Sequence, residues 1–294
     1  MTVSPKPRLF VTGASGQLGR LVIEALLKTV PAANIAAGVR DPNGSAAKSL
    51  ADLGVAVRTA DYAEPDALAA TFVGIDKLLL ISSNAIGPRV AQHRHVIDAA
   101  ARAGVKLIVY TSVLHADVSP LGLAAEHRQT EAMLAASGIP FVLLRNGWYT
   151  ENYTAAIPAV LAHGALRGSA GAGRIASAAR ADYAAAAATV LAADTDQGGK
   201  VYELAGDESY GLTEFAAEIA RQSGKPVVYR NLAQPDYKAA LVGAGLPDDL
   251  AALLADSDAV AAGGALFDDG RQLSRLIGRP TTPFARTIAE TLKA

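Results

Sequence analysis

The chain has 294 residues, of which 51% are apolar and 19% charged, a composition that collapses into one large domain or two modest ones rather than staying disordered. Its 27 basic and 28 acidic side chains give a formal net charge of -1, so no field draws it to nucleic acid or an anionic membrane. Cysteine is absent, which excludes disulfides, thiolate metal sites and cysteine nucleophiles and points to the cytoplasm.

The residues before Leu9-Phe10-Val11 leave no room for the apolar core of a secretory signal. The longest nearly apolar stretch, Ala184 to Ala193, is far short of the ~20 residues a bilayer needs, so no membrane insertion is expected. Strands are predicted at Leu9–Thr12, Ile35–Val39, Val55–Thr59, Leu78–Ile81, Leu107–Tyr110 and Phe141–Leu144. Their continuous apolarity implies that both faces are covered. Between the first two, Leu18, Leu21, Val22, Ala25 and Leu26 fall on one stripe of a helix. Further helices are expected from Pro65 to near Phe72, over Val90–Ala103 ending at Gly104, and over Ala124–Ser137 ending at Gly138. This alternation predicts an α/β fold, a doubly wound parallel sheet of Rossmann type, over residues 1–145. Residues 146–294 lose the rhythm and read as a smaller, interleaved C-terminal substrate-binding lobe. Helices are expected there at Ala181–Ala193, Thr213–Ser223 and Asp248–Val260. Of two further strands, at Val201–Leu204 and Val227–Arg230, the first is expected to return to the Rossmann sheet.

The strongest local signal is Gly13-Ala14-Ser15-Gly16-Gln17-Leu18-Gly19, set between the first strand and the first helix. Gly13 permits a tight turn, Gly16 a close approach of backbone to a pyrophosphate, and Gly19 close packing of helix on strand. The helix start supplies free N–H groups and the positive end of a dipole. The second strand ends in Arg40 where an NAD site usually has a carboxylate. A guanidinium there pairs with a 2′-phosphate, so NADPH is the expected cofactor; Asp41, the next residue, is the competing carboxylate. Asp61 closes the third strand as an adenine contact or a helix cap. Ser82-Ser83-Asn84 and Thr111-Ser112 follow the fourth and fifth strands at the carboxyl edge, where they are ribose or nicotinamide contacts or simply turn residues.

Together with Tyr110-Thr111-Ser112-Val113-Leu114-His115-Ala116-Asp117 and Leu143-Leu144-Arg145-Asn146-Gly147-Trp148-Tyr149-Thr150-Glu151-Asn152-Tyr153, these motifs resemble the NmrA-like atypical short-chain dehydrogenases. Within them the chain is most similar to the bacterial NADPH-dependent type 2 quinone oxidoreductases. The resemblance continues through Arg180-Ala181-Asp182-Tyr183, Val201 to Gly206 and Leu266-Phe267-Asp268-Asp269. It implies that Asn146, Gly147, Trp148, Tyr149, Thr150 and Glu151 border nicotinamide and quinone. His115, in the loop after the fifth strand, is a further candidate to reach the substrate pocket by its position. The lone tryptophan beside a tyrosine gives flat surface for a ring substrate, or packing between the lobes.

No tyrosine has a lysine four residues on, so the Tyr-x-x-x-Lys acid of ordinary short-chain dehydrogenases is missing. His127 is the general-acid candidate that remains. His93 and His95, an i, i+2 pair, diverge by about 200° on a helix and cannot share a metal; they read as surface residues, and no metal is expected. The predicted activity is hydride transfer from NADPH to a quinone. The alternatives are an NADP(H)-sensing regulatory protein without turnover and a reductase of another small molecule. A homo-oligomer is compatible with the sequence.

Overall fold

A computed structural model describes residues 7–293. The expectation about a secretory signal falls largely on residues 1–6, outside the described residues. In chain order the elements are β1 (Leu9–Val11), α1 (Gln17–Leu26), β2 (Ile35–Val39), α2 (Ser45–Asp52), β3 (Ala56–Thr59), α3 (Pro65–Thr71), β4 (Lys77–Leu80), α4 (Arg89–Ala103), β5 (Leu107–Val113), α5 (Ala124–Ala136) and β6 (Phe141–Asn146). There follow α6 (Glu151–Thr154), α7 (Ile157–His163), β7 (Ala165–Gly168), α8 (Arg180–Ala192), β8 (Val201–Leu204), α9 (Leu212–Ser223), β9 (Val228–Asn231), α10 (Gln234–Gly243), α11 (Asp248–Ala261), α12 (Gln272–Ile277) and α13 (Phe284–Lys293).

Among the described residues seven strands form one sheet in the order β3-β2-β1-β4-β5-β6-β8. The pairs β1 with β2, β1 with β4, β2 with β3 and β4 with β5 are parallel. Bonds from Ile108 N to Pro140 O and from Leu114 N to Asn146 O keep a constant offset, so β5 and β6 are parallel too. The same holds for β6 and β8, through Leu143 N to Lys200 O and Gly147 N to Leu204 O. The order reverses at β1, as in the predicted Rossmann fold. β3, at the edge, departs from the expectation of two covered faces: Ala56 and Thr59 are exposed and Val57 and Arg58 half-buried. Among the described residues no helix is long and apolar enough to cross a membrane.

The chain divides into two compact units whose segments alternate along the sequence. Unit 1 holds the residues up to Ser112, Glu126–Arg145 and Tyr183–Tyr202. Its core packs Phe10, Phe72, Leu78, Leu80, Ile97, Ile108, Tyr110 and Leu134 together, with Phe10 and Phe72 edge to face at 5.1 Å. Each such side chain removed from water contributes about 1.5–3 kcal/mol.

Unit 2 comprises Val113–Ala125, Asn146–Asp182 and the chain from Glu203. Its core contains Trp148, Tyr153, Ile175, Tyr210, Phe215 and Leu266. The predicted strand near Val227 is β9, which pairs in parallel with β7 rather than with the large sheet. Asp258 is buried in this unit, accepting from the Tyr153 hydroxyl at 2.8 Å and Ser169 N at 3.0 Å. Burial pushes its carboxyl above the usual carboxylate range.

In unit 1 one carboxylate reconciles two polar strand residues with burial. Glu131 on α5 takes a bidentate pair from Arg145 of β6, at 3.0 and 2.7 Å, and a 2.6 Å bond from Ser112 Oγ of β5. The Arg145 and Glu131 side chains are only 10% and 12% exposed, so removing the acid strands a buried cation. Glu131→Ala is expected to lower the unfolding free energy in urea by about 3–5 kcal/mol. A loss below about 1 kcal/mol would mean that solvent already screens the pair.

Candidate functional site

The turn between β1 and α1 is shaped by backbone crowding. Gly13 has φ +57°, a region costly for side chains, and its carbonyl accepts Gly16 N at 3.0 Å. A Cβ on Gly19 would sit 2.3 Å from that same carbonyl oxygen, so only glycine lets α1 start this close to β1. Ala14 N donates to Gly38 O at 2.9 Å and ties the turn to β2. The first-turn N–H groups of α1 are thereby left open to one end of a cavity of about 530 Å³.

Gly13, Ser15, Gly16, Gln17, Leu18, Gly19, Arg40, Asp61, Ser82, Ser83 and Asn84 all line this cavity. Two predicted residues lie behind its wall. Ala14 is fully buried, and Thr111 uses its hydroxyl to accept Ser82 N at 2.9 Å. Arg40 is exposed, and among the described residues it makes no ion pair. Asp41 is not on the wall; its carboxylate accepts Asn43 N at 2.9 Å and closes its own turn. The Asp61 carboxylate likewise accepts Ala63 N at 2.9 Å, so it caps a turn before α3 while its residue walls the cavity. Gly38, Tyr62, Ala85 and Gln92 also line the cavity and were not singled out in the sequence. A glycine inside a buried strand was the available signal for Gly38: a Cβ there would meet the Phe10 ring at 2.6 Å.

A larger opening, about 760 Å³, lies at the amino ends of the strands beside Lys77, Lys106, Asp76 and Asp194. Ligands of open α/β sheets bind at the other edge, and here charges satisfy one another: Lys106 meets Asp76 at 2.7 Å.

The histidines differ from expectation. His93 is fully buried, not a surface residue. Its Nε2 accepts Ser83 N at 2.9 Å and its Nδ1 lies 2.9 Å from Thr130 Oγ1. Burial, aided by the Arg89 charge, pulls it down to about 3. His95 is half-buried, its Nδ1 2.8 Å from the Tyr62 carbonyl. His127 is buried with Nδ1 2.7 Å from the Tyr110 hydroxyl, and burial holds it well below the usual imidazole range. Helix α5 turns it inward, it is not among the cavity wall residues, and at neutral pH it carries no imidazolium proton to give.

In unit 2 the loop after β6 is held on both sides. Asn146 O accepts Leu114 N at 2.9 Å and Gly147 N donates to Leu204 O at 2.7 Å. Thr150 N and Trp148 O bond Ala178 at 3.0 and 3.2 Å, and Thr150 Oγ1 meets Ser177 Oγ at 2.8 Å. Both Glu151 oxygens accept Arg180 N, at 2.9 and 3.0 Å. Trp148 is 7% exposed and packs in the unit's core, which leaves little of its ring for a ligand. Tyr149 is half-buried, with the Arg180 guanidinium 4.8 Å over its ring. Asn146 Oδ1 is buried and accepts no hydrogen bond among the described residues. His115, at φ +52°, puts Nε2 3.3 Å from Asp268 and donates its backbone N–H to Glu203 at 2.8 Å.

Residues 5–269 match the model of the NmrA-like family. The chain belongs to this family. Within it, the chain is 58% identical to quinone oxidoreductase 2 of Escherichia coli (strain K12) over 279 residues, 95% of this chain and 96% of that protein. The crystal structure of the NADPH-dependent quinone oxidoreductase of E. coli complexed with NADPH superposes with a TM-score of 0.93 at 57% identity, covering 97% of this chain and 99% of the other. The Citrobacter sp. triphenylmethane reductase complexed with NADP(H) gives 0.90 at 38% identity, over 96% and 99%.

Two buried neutral histidines have a consequence for stability. Both bind a proton near pH 6.5 when unfolded and only at much lower pH when folded. The unfolded state therefore holds more protons below pH 6.5, and stability falls as pH falls through that window toward about 3. The slope is about 1.4 kcal/mol per pH unit for each histidine. Urea unfolding between about pH 6.5 and 5 should show a shallower pH dependence in His93→Gln than in the unaltered chain. Equal slopes would mean that His93 titrates normally in the fold.

Proposed function

We propose that the protein is an NADPH-dependent quinone oxidoreductase. The observation that carries this reading is the pairing, on one cavity, of the glycine turn at the start of α1 with Arg40 at the end of β2. The likeness to the E. coli quinone reductase over 95% of the chain supports the reaction.

The wall fits a dinucleotide. The close approach at Gly13 and Gly19 leaves the N–H groups of the first turn for a diphosphate. Arg40 supplies the bidentate cation for a 2′-phosphate, whereas Asp41 is not on the cavity wall and accepts Asn43 N in its own turn. Asp61 and Tyr62 would flank the adenosine, and Ser82, Ser83 and Asn84 the remaining sugar and phosphates. When bound, NADPH supplies a hydride to the quinone, which with one proton becomes hydroquinone while the cofactor leaves as NADP+.

Acceptor recognition we assign to the loop Asn146–Glu151. The half-buried face of Tyr149 suits a flat ring, and the Arg180 charge beside it favours an oxygen gaining negative charge. His127 takes no part: hydride transfer leaves a delocalised hydroquinone anion stable enough to form without a protein acid, and solvent then supplies its proton. Positioning then carries most of the rate. The cytoplasm suits a chain without cysteine.

The decisive variant is Arg40→Ala. Losing a charge-assisted bond of about 1.5–3 kcal/mol should cut the ratio of NADPH to NADH affinity roughly ten- to a hundredfold by calorimetry. Quinone-dependent loss of NADPH absorbance should persist at raised cofactor concentration. An unchanged ratio would remove Arg40 from the site.

A further inference from the structure

Helix α4 does more than cover the sheet. His93 and His95 lie two residues apart on it and so point in nearly opposite directions around the helix. Each ring nevertheless meets backbone that walls the cavity. His93 Nε2 accepts Ser83 N at 2.9 Å, and His95 Nδ1, facing a carbonyl that can only accept, donates to Tyr62 O at 2.8 Å. Ser83 stands on the rim after β4 and Tyr62 on the rim after β3.

The grip on Ser83 is complete. Its N–H goes to His93, its carbonyl takes Arg89 Nε at 2.7 Å, and its hydroxyl donates to Gln92 Oε1 at 2.5 Å. All three partners are on one helix. Arg89 is itself steadied by Glu126 at 2.8 Å, and Glu126 also takes Gly87 N at 2.9 Å. The His93 ring is fixed from its far side. With Nε2 accepting, Nδ1 carries the proton and donates to Thr130 Oγ1 at 2.9 Å, whose own proton goes to Glu126 O at 3.0 Å. The ring also sits edge-on to Tyr62, with centroids 6.3 Å apart. A histidine that merely filled the core would not need its acceptor aimed at the backbone N–H of a wall residue.

We propose that His93 and His95 are the positioning residues of the cofactor cavity, His93 setting the rim Ser82–Ala85 and His95 the rim Asp61–Tyr62. This rests on the dinucleotide reading of that cavity. Neither histidine touches the cofactor; each fixes main chain that does, before binding, so that less ordering remains to be done when the dinucleotide arrives.

The test compares His93→Leu, His93→Gln and His95→Leu in the full chain, with melting curves to establish folding. His93→Leu leaves Ser83 N–H without its acceptor and should raise the Kd and KM for NADPH roughly tenfold. kcat at saturating NADPH should fall by less than KM rises. His93→Gln retains an oxygen acceptor and should recover most of the loss. His95→Leu should weaken NADPH by about threefold, since its bond lies on a more exposed rim. In all three the preference for NADPH over NADH should stay put, because Arg40 is untouched.

A folded His93→Leu with the original Kd, a fall in kcat with KM unmoved, or a Gln variant no better than Leu would each overturn the proposal for His93. If His93→Leu fails to fold, His95→Leu decides, and an unaltered Kd there overturns the two-rim account. An unaltered chain that binds no NADPH overturns the dinucleotide reading itself.

Discussion

The distance between the Gly13 carbonyl and the Cα of Gly19 governs unit 1. With a hypothetical Cβ only 2.3 Å from that oxygen, the first turn of α1 rests directly on the end of β1. Its amide groups emerge at the carboxyl edge of the sheet rather than over a side chain. The link from Ala14 N to Gly38 O carries this geometry across to β2, so that the strand ending in Arg40 runs out along the same cavity. The helix start and the guanidinium proposed to hold phosphate thus reach one cavity through two glycines and one main-chain bond.

Around this turn the rims after β3 and β4 are irregular backbone, and their polar groups need partners from inside the protein. The molecule uses neutral, fully hydrogen-bonded side chains for much of this. Thr12 Oγ1 donates to Leu79 O and accepts Ile81 N, both at 2.9 Å. Thr111 and His93 do the same service for Ser82 and Ser83. Neutrality is the condition for placing imidazoles there, because an imidazolium so deeply buried is costly and would turn His93 Nε2 from acceptor to donor.

Much of the fold was legible because its central strands are buried, as β2 at Ile35–Val39 is; the edge strand β8 at Val201–Leu204 also falls where the sequence places it, though its first three residues are not buried. β5 and β6 run on to Val113 and Asn146, past the predicted Tyr110 and Leu144. Ser112 and Arg145 look like strand-ending polar residues until Glu131, distant in sequence, satisfies both. β7 was not foreseen, since Ala-Leu-Arg-Gly carries little signal and its partner β9 lies some sixty residues on. At the site, glycine spacing and Arg40 are local patterns and were readable. The roles of His93 and His127 depend on which way α4 and α5 face and on main chain far away in sequence, which spacing alone does not encode.

The proposed place of the diphosphate, at the start of α1, is open to a crystal structure of this chain grown with NADPH. That structure should show diphosphate oxygens hydrogen-bonded to N–H groups at the start of α1, and the 2′-phosphate against the Arg40 guanidinium. A diphosphate bound away from the Gly13–Gly19 turn, or a 2′-phosphate facing solvent with Arg40 turned aside, would contradict that placement.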